Sequence, residues 1–278
     1  MTDAIDGFAA ALQGRGLSPS TVAAYTGWLN RFQAWLQASA GEDLPAAGQV
    51  DAQEYVSWLT AQRKPATAIG AADALRAWSK WREGREWEIR TPQKEAATAP
   101  KALDKQAAYR LRRAAVQSGP RDAALVALLM LAGLRVSEAL ALRPEDVAIR
   151  ERSGQAVVRQ GKGNKRRTVP LSTQAREMVG PWLAGRQDQD WLFPGRHGQG
   201  RMTRQGAWEV LATLAARARV EGVHPHALRH TFGKGLVDAG VSLDRVALLL
   251  GHSSLNTTAR YTRPTEEDLA AAVERLGN

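Results

Sequence analysis

The sequence predicts a mainly α-helical chain of two domains, the second carrying a small antiparallel β-sheet. Three observations carry that expectation. Apolar residues recur at helical spacing over most of the 278 residues, and "RTPQKEAATAPKALDKQ" (90–106) interrupts them. One segment, "QAVVRQGKGNKRRTVPL" (155–171), changes to strand character around a glycine-containing turn. A chain of this length exceeds one ordinary small domain and gives each of two domains a core of its own.

The elements follow in chain order. In "SPSTVAAYTGWLNRFQAWL", Ser18 is placed as an N-cap and Pro19 at the first helical position, with Val22, Tyr25, Leu29, Phe32 and Leu36 on one stripe. Weaker helical patterns follow at 51–62 and 67–83. Six of the nine tryptophans (28, 35, 58, 78, 81, 87) lie in this region, where their bulk is expected to build a helical core. The two prolines, small residues and mixed charge of 90–106 read as a linker and put the boundary near residue 97. Beyond it, Asp104 opens a helix in "LDKQAAYRLRRAA". "PRDAALVALLMLAG" is apolar on most faces, hence a buried helix, and Gly133 stops it. The runs "AVVRQ" and "RRTVPL" flank Gly-Lys-Gly-Asn, a β-hairpin signal. Helices resume at about 173–183, 203–219, 226–239 and 242–250, and the last, 265–276, opens with Thr265 and Asp268 spaced as a capping box.

Composition narrows the function classes. Hydrophobic residues make up 44% and charged residues 24%, the balance of a soluble globular protein. The longest apolar run, "AALVALLMLAGL" (123–134), is too short to span a bilayer, and "MTDAIDGF" lacks a signal-peptide layout. The expectation is a cytoplasmic protein with no membrane partner. The absence of cysteine excludes disulfides, thiolate nucleophiles and cysteine-based zinc sites.

The net charge of +10 is unevenly placed. Residues 1–97 hold 10 Lys/Arg against 11 Asp/Glu, leaving 28 against 17, a net of +11, for residues 98–278. A positive field of that size points to a polyanionic partner, nucleic acid above all.

Candidate functional residues gather in the basic part. Arg135 follows the Gly133 helix stop in "AGLRVSEAL", where a turning backbone can aim a side chain out of the core. Lys162 sits at the hairpin tip. In "HPHALRHTF" (224–232), His226 and Arg229 are three apart and so share a helical face, near a helix N-terminus that favours anions. His224, His226 and His230 raise the question of zinc, but no HExxH pattern or carboxylate partner accompanies them, and no metal is expected. "GHSSLNTTARYTRP" (251–264) places Tyr261 nine positions after His252, between Arg260 and Arg263. Each of these residues alone has an ordinary reading as a solvated or packing side chain.

"GLRVSEALAL", "GKGNKRRTVPL", "HALRHTF" and "LLGHSSLNTTARY" occur in an order and spacing that resemble the tyrosine recombinases of the phage-integrase and Xer-like family. The likeness covers essentially the whole chain, since "SPSTVAAYTGWLNRFQAWL" is similar to that family's N-terminal core-binding domain. It implies a core-binding domain at 1–97 and a catalytic domain at 98–278, closing around duplex DNA as a C-shaped clamp.

The resemblance implies an active site of Arg135, Lys162, His226, Arg229, His252 and Tyr261. In similar proteins the tyrosine attacks a DNA phosphodiester, leaving a 3′-phosphotyrosyl link and a free 5′-hydroxyl, without metal, ATP or other cofactor. The residue types suit that chemistry. Two forked guanidiniums can clamp the non-bridging oxygens, His226 can take the phenol proton, and His252 can hydrogen-bond the phosphate. Lys162, with Lys165 as the alternative, can protonate the leaving 5′-oxygen.

Arg76, Lys80, Lys165, Arg166, Arg167, Arg260 and Arg263 are expected to contact phosphates. Glu138 is expected to orient side chains or cap a helix, His230 to satisfy a core hydrogen bond, and His224 to be incidental. By resemblance the working assembly is a homo-tetramer on two DNA sites, with a second recombinase or an accessory protein as a further partner. The apolar stripe Leu269, Ala272, Val273 and Leu276 is a candidate for docking on a neighbour or on its own domain.

Two features depart from the family pattern. "GKG" (233–235) puts two glycines inside the His226 helix, at a cost on the order of 1 kcal/mol each. The first domain is electrically neutral overall, its Arg76, Lys80, Arg82 and Arg85 opposed by Glu83 and Glu86. A non-catalytic DNA-binding regulator and a type IB-like topoisomerase stand as the alternative functions.

Overall fold

The computed structural model describes residues 2–63, 65–93, 102–159, 166–186 and 190–251. Contacts divide the chain into two units, Met1–Ala97 and Thr98–Asn278.

The described residues of the first unit form four helices: α1 (Thr2–Gly14), α2 (Pro19–Ala40), α3 (Gln49–Gln62) and α4 (Pro65–Glu83). The Ser18 hydroxyl accepts from the Thr21 N–H at 3.2 Å to start α2, and left-handed Gly41 ends it. Val22, Leu29, Phe32 and Leu36 are buried along the expected stripe, while Tyr25 packs at its edge. They meet Phe8 and Leu12 of α1, Tyr55 and Val56 of α3, and Leu75 and Trp78 of α4 in a single core. Helix α1 has no counterpart in the sequence reading. The tryptophans divide more sharply than expected: Trp78 and Trp87 are fully buried, Trp28 and Trp35 sit at the core's margin, and Trp58 and Trp81 are exposed. An indole is large enough to pack one edge on the core while the other meets water.

The second unit is built around one buried helix. It opens with α5 (Lys105–Ser118), α6 (Pro120–Met130) and the single turn α7 (Val136–Ala139). The strands β1 (Val147–Ile149), β2 (Gly154–Val158) and β3 (Arg167–Pro170) follow, then α8 (Thr173–Ala184), α9 (Arg204–Ala218), α10 (Pro225–Asp238) and α11 (Leu243–Leu250). Every residue of α6 from Asp122 to Met130 is buried, as its near-continuous apolar sequence demands, and α5, α8 and α10 pack around it. The sheet order is β1-β2-β3, antiparallel throughout, with Val158 opposite Arg167 at the last described pair of the hairpin. Ala156, Val158 and Val169 turn inward to the core. The third strand, β1, is an addition to the expected hairpin, and α7 is likewise new. Helix α10 runs unbroken through Gly233 and Gly235. The hairpin tip at 161–164 and the predicted helix at 265–276 lie outside the described residues. Among the described residues no helix is long and apolar enough to cross a membrane.

Candidate active site

The site is assembled where α6 ends. Gly133, with φ at +64°, turns the chain out of α6, and a Cβ there would stand 2.2 Å from the Phe232 ring. Glycine is therefore required twice at this position, for its backbone angle and for the close approach of α10. The Gly133 carbonyl accepts from Arg229 Nη1 at 2.6 Å, which ties α10 to the turn.

Two residues on, Arg135 N-caps α7, and Glu138 reaches back so that its Oε2 accepts the Arg135 backbone N–H at 2.8 Å. Its Oε1 accepts from Arg135 Nη1 at 2.7 Å. From β3, Arg167 donates to both carboxylate oxygens, Nη1 to Oε1 at 2.9 Å and Nη2 to Oε2 at 2.8 Å. Arg229 Nη1 lies 3.8 Å from Oε2. One carboxylate, its side chain 3% exposed, thus sits among three guanidiniums drawn from α7's cap, β3 and α10.

The same three arginines cap α11. Arg167 Nε donates to the Leu249 carbonyl at 3.3 Å, Arg229 Nη2 to that of Leu250, and Arg135 Nη2 to that of Gly251 at 3.0 Å. Three successive orphan carbonyls are satisfied at the negative end of the helix dipole, where cations are favoured. Left-handed Gly251 is again needed, since a Cβ would lie 2.9 Å from Arg167 Nη1. His252 is the next residue in sequence, and Tyr261 lies nine further on.

Burial alone would raise the Glu138 carboxyl. The Arg167 hydrogen bonds, the Arg135 backbone N–H and the neighbouring positive charges outweigh it and hold the group at about 2. Glu138 is ionised, and the cluster keeps a surplus of two positive charges from three arginines. Such a surplus suits an anion, and Arg135, 24% exposed, is the cluster's most open member.

The remaining candidates are distributed as follows. Arg229 is 6% exposed and faces inward, whereas His226, in the first turn of the same helix, is exposed. Lys162, Lys165, His252, Arg260, Tyr261 and Arg263 lie outside the described residues. Arg166 is exposed. Arg167, expected at a phosphate, is 13% exposed, and its Nε, Nη1 and Nη2 all bond within the protein. Arg76 is likewise drawn inward, bonding Asp73 at 3.0 Å and the Ile89 carbonyl at 2.6 Å, while Lys80 stays half exposed and pairs with Glu86. Glu138 holds the cluster together, a larger part than the orienting or capping role expected of it. His224, expected to be incidental, caps α10 through its Nδ1; a histidine directly before proline at a helix start is the available signal. Among the described residues no group of His, Cys, Asp and Glu side chains is arranged to hold a metal ion.

The fold and this cluster define a two-unit, mainly helical protein with a positively charged arginine–glutamate centre in its second unit. Comparison with known proteins makes the assignment particular. Residues 101–268 match the phage integrase family and residues 5–89 the phage integrase N-terminal SAM-like domain, so the chain belongs to the phage integrase family. It is 33% identical to tyrosine recombinase XerA of Thermococcus kodakarensis over 282 residues, covering 98% of this chain and 95% of that protein. It is 34% identical to tyrosine recombinase XerD of Vibrio cholerae, covering 92% and 89%. Among solved structures, XerH bound to palindromic difH substrate in a post-cleavage complex is similar in fold with a TM-score of 0.75 at 22% identity, covering 95% of this chain and 82% of that one.

Proposed function

We propose that this protein is a site-specific DNA recombinase that cleaves and rejoins duplex DNA through a tyrosine. The observation that carries the reading is the gathering of Arg135, Arg167 and Arg229 on Glu138 at the end of α11, one residue before His252. Membership of the phage integrase family and 33–34% identity to XerA and XerD recombinases support it.

In this reading Tyr261 Oη bonds to the phosphorus and the bond from phosphorus to the 5′-oxygen breaks. His226 takes the phenol proton, and Lys162, or Lys165 in its place, gives a proton to the leaving oxygen. Arg135 meets the non-bridging oxygens from the open side, Arg229 lends its charge from beneath, and His252 hydrogen-bonds the phosphate. The phosphodiester is conserved in the 3′-phosphotyrosyl link, so reversal by a partner strand's 5′-hydroxyl needs neither metal nor ATP. Duplex DNA is the substrate, and four protomers on two sites, with or without a second recombinase or accessory protein, are the working assembly. The reaction belongs in the cytoplasm, where the DNA is.

Sequencing DNA trapped covalently on the protein identifies candidate sites. Two copies of a recovered site placed on one plasmid then give deletion or inversion. Relaxation of a supercoiled plasmid lacking any recovered site, with no exchange between sites, would instead indicate a topoisomerase. Site binding without any covalent adduct would indicate a regulator.

A further inference from the structure

The chain enters α10 through a histidine that the reaction does not use. His224 is the N-cap of that helix, with extended backbone (φ −154°, ψ 163°) and Pro225 following at the first helical position. Its Nδ1 accepts from the Ala227 N–H at 3.2 Å, and its carbonyl accepts from the Leu228 N–H at 3.1 Å. The imidazole lies parallel to the indole of Trp208 on α9, planes 9° apart and centroids 5.8 Å apart. Trp208 itself is 45% exposed, so burial of its own surface does not account for its place.

N-caps are ordinarily short oxygen-bearing side chains. An imidazole accepts a hydrogen bond only through an unprotonated nitrogen, and the imidazolium donates from both. The cap at α10 is therefore available in one protonation state, and the ring needs a wall to hold its plane. Trp208 is that wall. The first turn it fixes contains His226, and Arg229 follows three residues later.

We propose that the Trp208–His224 stack seats the start of α10, making His224 a positioning residue for His226 and Arg229 that works only as the neutral imidazole. This rests on the recombinase reading for its catalytic consequence, while the seating of the helix stands independently. Packed α9 faces the ring with the uncharged Trp208. Among the described residues the charged neighbour acting on it is His226, on its own helix. Burial first, and His226 second, lower His224 from the ordinary histidine range and keep it neutral. The cap is thus fully present at and above about pH 6.5 and is lost only as the pH falls through the lowered folded-state value.

The test uses the full chain as wild type, His224→Ala, His224→Asn and Trp208→Ala. Two readouts are taken: amide exchange in the first turn of α10, and covalent adduct formed on sheared host genomic DNA at about pH 8 and about pH 5.5. His224→Ala and Trp208→Ala are expected to speed exchange at Ala227 about fivefold and to lower adduct yield about tenfold at the higher pH. Asparagine caps without titrating, so His224→Asn restores both and loses less adduct than wild type on acidification. Unchanged exchange in His224→Ala, or failure of His224→Asn to restore it, overturns the proposal. Absence of adduct from wild type with the exchange pattern intact would count against the recombinase reading and leave the helix seat standing. Equal adduct from wild type and His224→Ala would refute the positioning role.

Discussion

Arg167 and Glu138 form a bidentate pair across 29 residues of sequence, with N–O distances of 2.9 and 2.8 Å and both side chains largely shielded from water. The pair joins β3 to α7 beside the end of α11. In a low-dielectric setting a carboxylate so placed is worth most for the charges it balances, since it separates three guanidiniums that would otherwise repel one another.

Replacing the charge while keeping the shape exposes that role. Glu138→Gln is expected to cost on the order of 3 kcal/mol, because three arginines lose their common counter-charge. Urea unfolding of the variant measures it, and a change below about 0.5 kcal/mol would refute the account of the cluster.

Acid should act through the same group. Glu138 is held below its ordinary range, so its contribution is fully present above about pH 4 and is lost as the pH falls through about 2. Wild-type stability should therefore fall by roughly 3 kcal/mol more than that of Glu138→Gln over this window, read from denaturant midpoints at each pH.

Arg167→Lys separates an interior tie from a DNA contact. Lysine keeps the charge but cannot fork to both carboxylate oxygens or retain the Nε bond to Leu249. A loss of about 1–2 kcal/mol is expected without DNA present. If Arg167 served mainly at a phosphate, thermal melting of the free protein would not move.

Two glycines should respond in opposite directions. Gly133→Ala places a methyl against Phe232 in a backbone conformation that alanine resists, and a loss of more than about 2 kcal/mol is expected. At Gly235, inside α10, an added Cβ meets nothing within 4 Å among the described residues. Gly235→Ala should gain about 0.5–1 kcal/mol. Paired melting curves check both.

Much of this architecture was legible because it depends on local pattern. The α2 stripe, the Ser18 cap, the all-buried α6 and the paired strands of the hairpin follow from spacing and turn chemistry. Strand β1 is three residues long, below what alternation can signal, and exists because β2 offers it an edge. Neighbouring Arg166 and Arg167 illustrate the limit at the site. Arg167 opens β3 and Arg166 immediately precedes it, and which of the two faces inward is decided by Glu138, far off in sequence. Arg229 was visible as a member of the site, whereas its burial against Gly133 and Leu250 is tertiary. His224 reads as incidental from sequence alone because an imidazole cap gains meaning only with Trp208 beside it.

The recombinase reading stands or falls on whether Tyr261 becomes joined to DNA. The direct measurement traps complexes with SDS from host cells expressing wild type or Tyr261→Phe, digests the DNA and finds the nucleotide-bearing peptide by mass spectrometry. A nucleotide is expected on Tyr261 in wild type, formed equally well in chelator, and no adduct in Tyr261→Phe. An adduct on another residue, or equal yield from the phenylalanine variant, would contradict it.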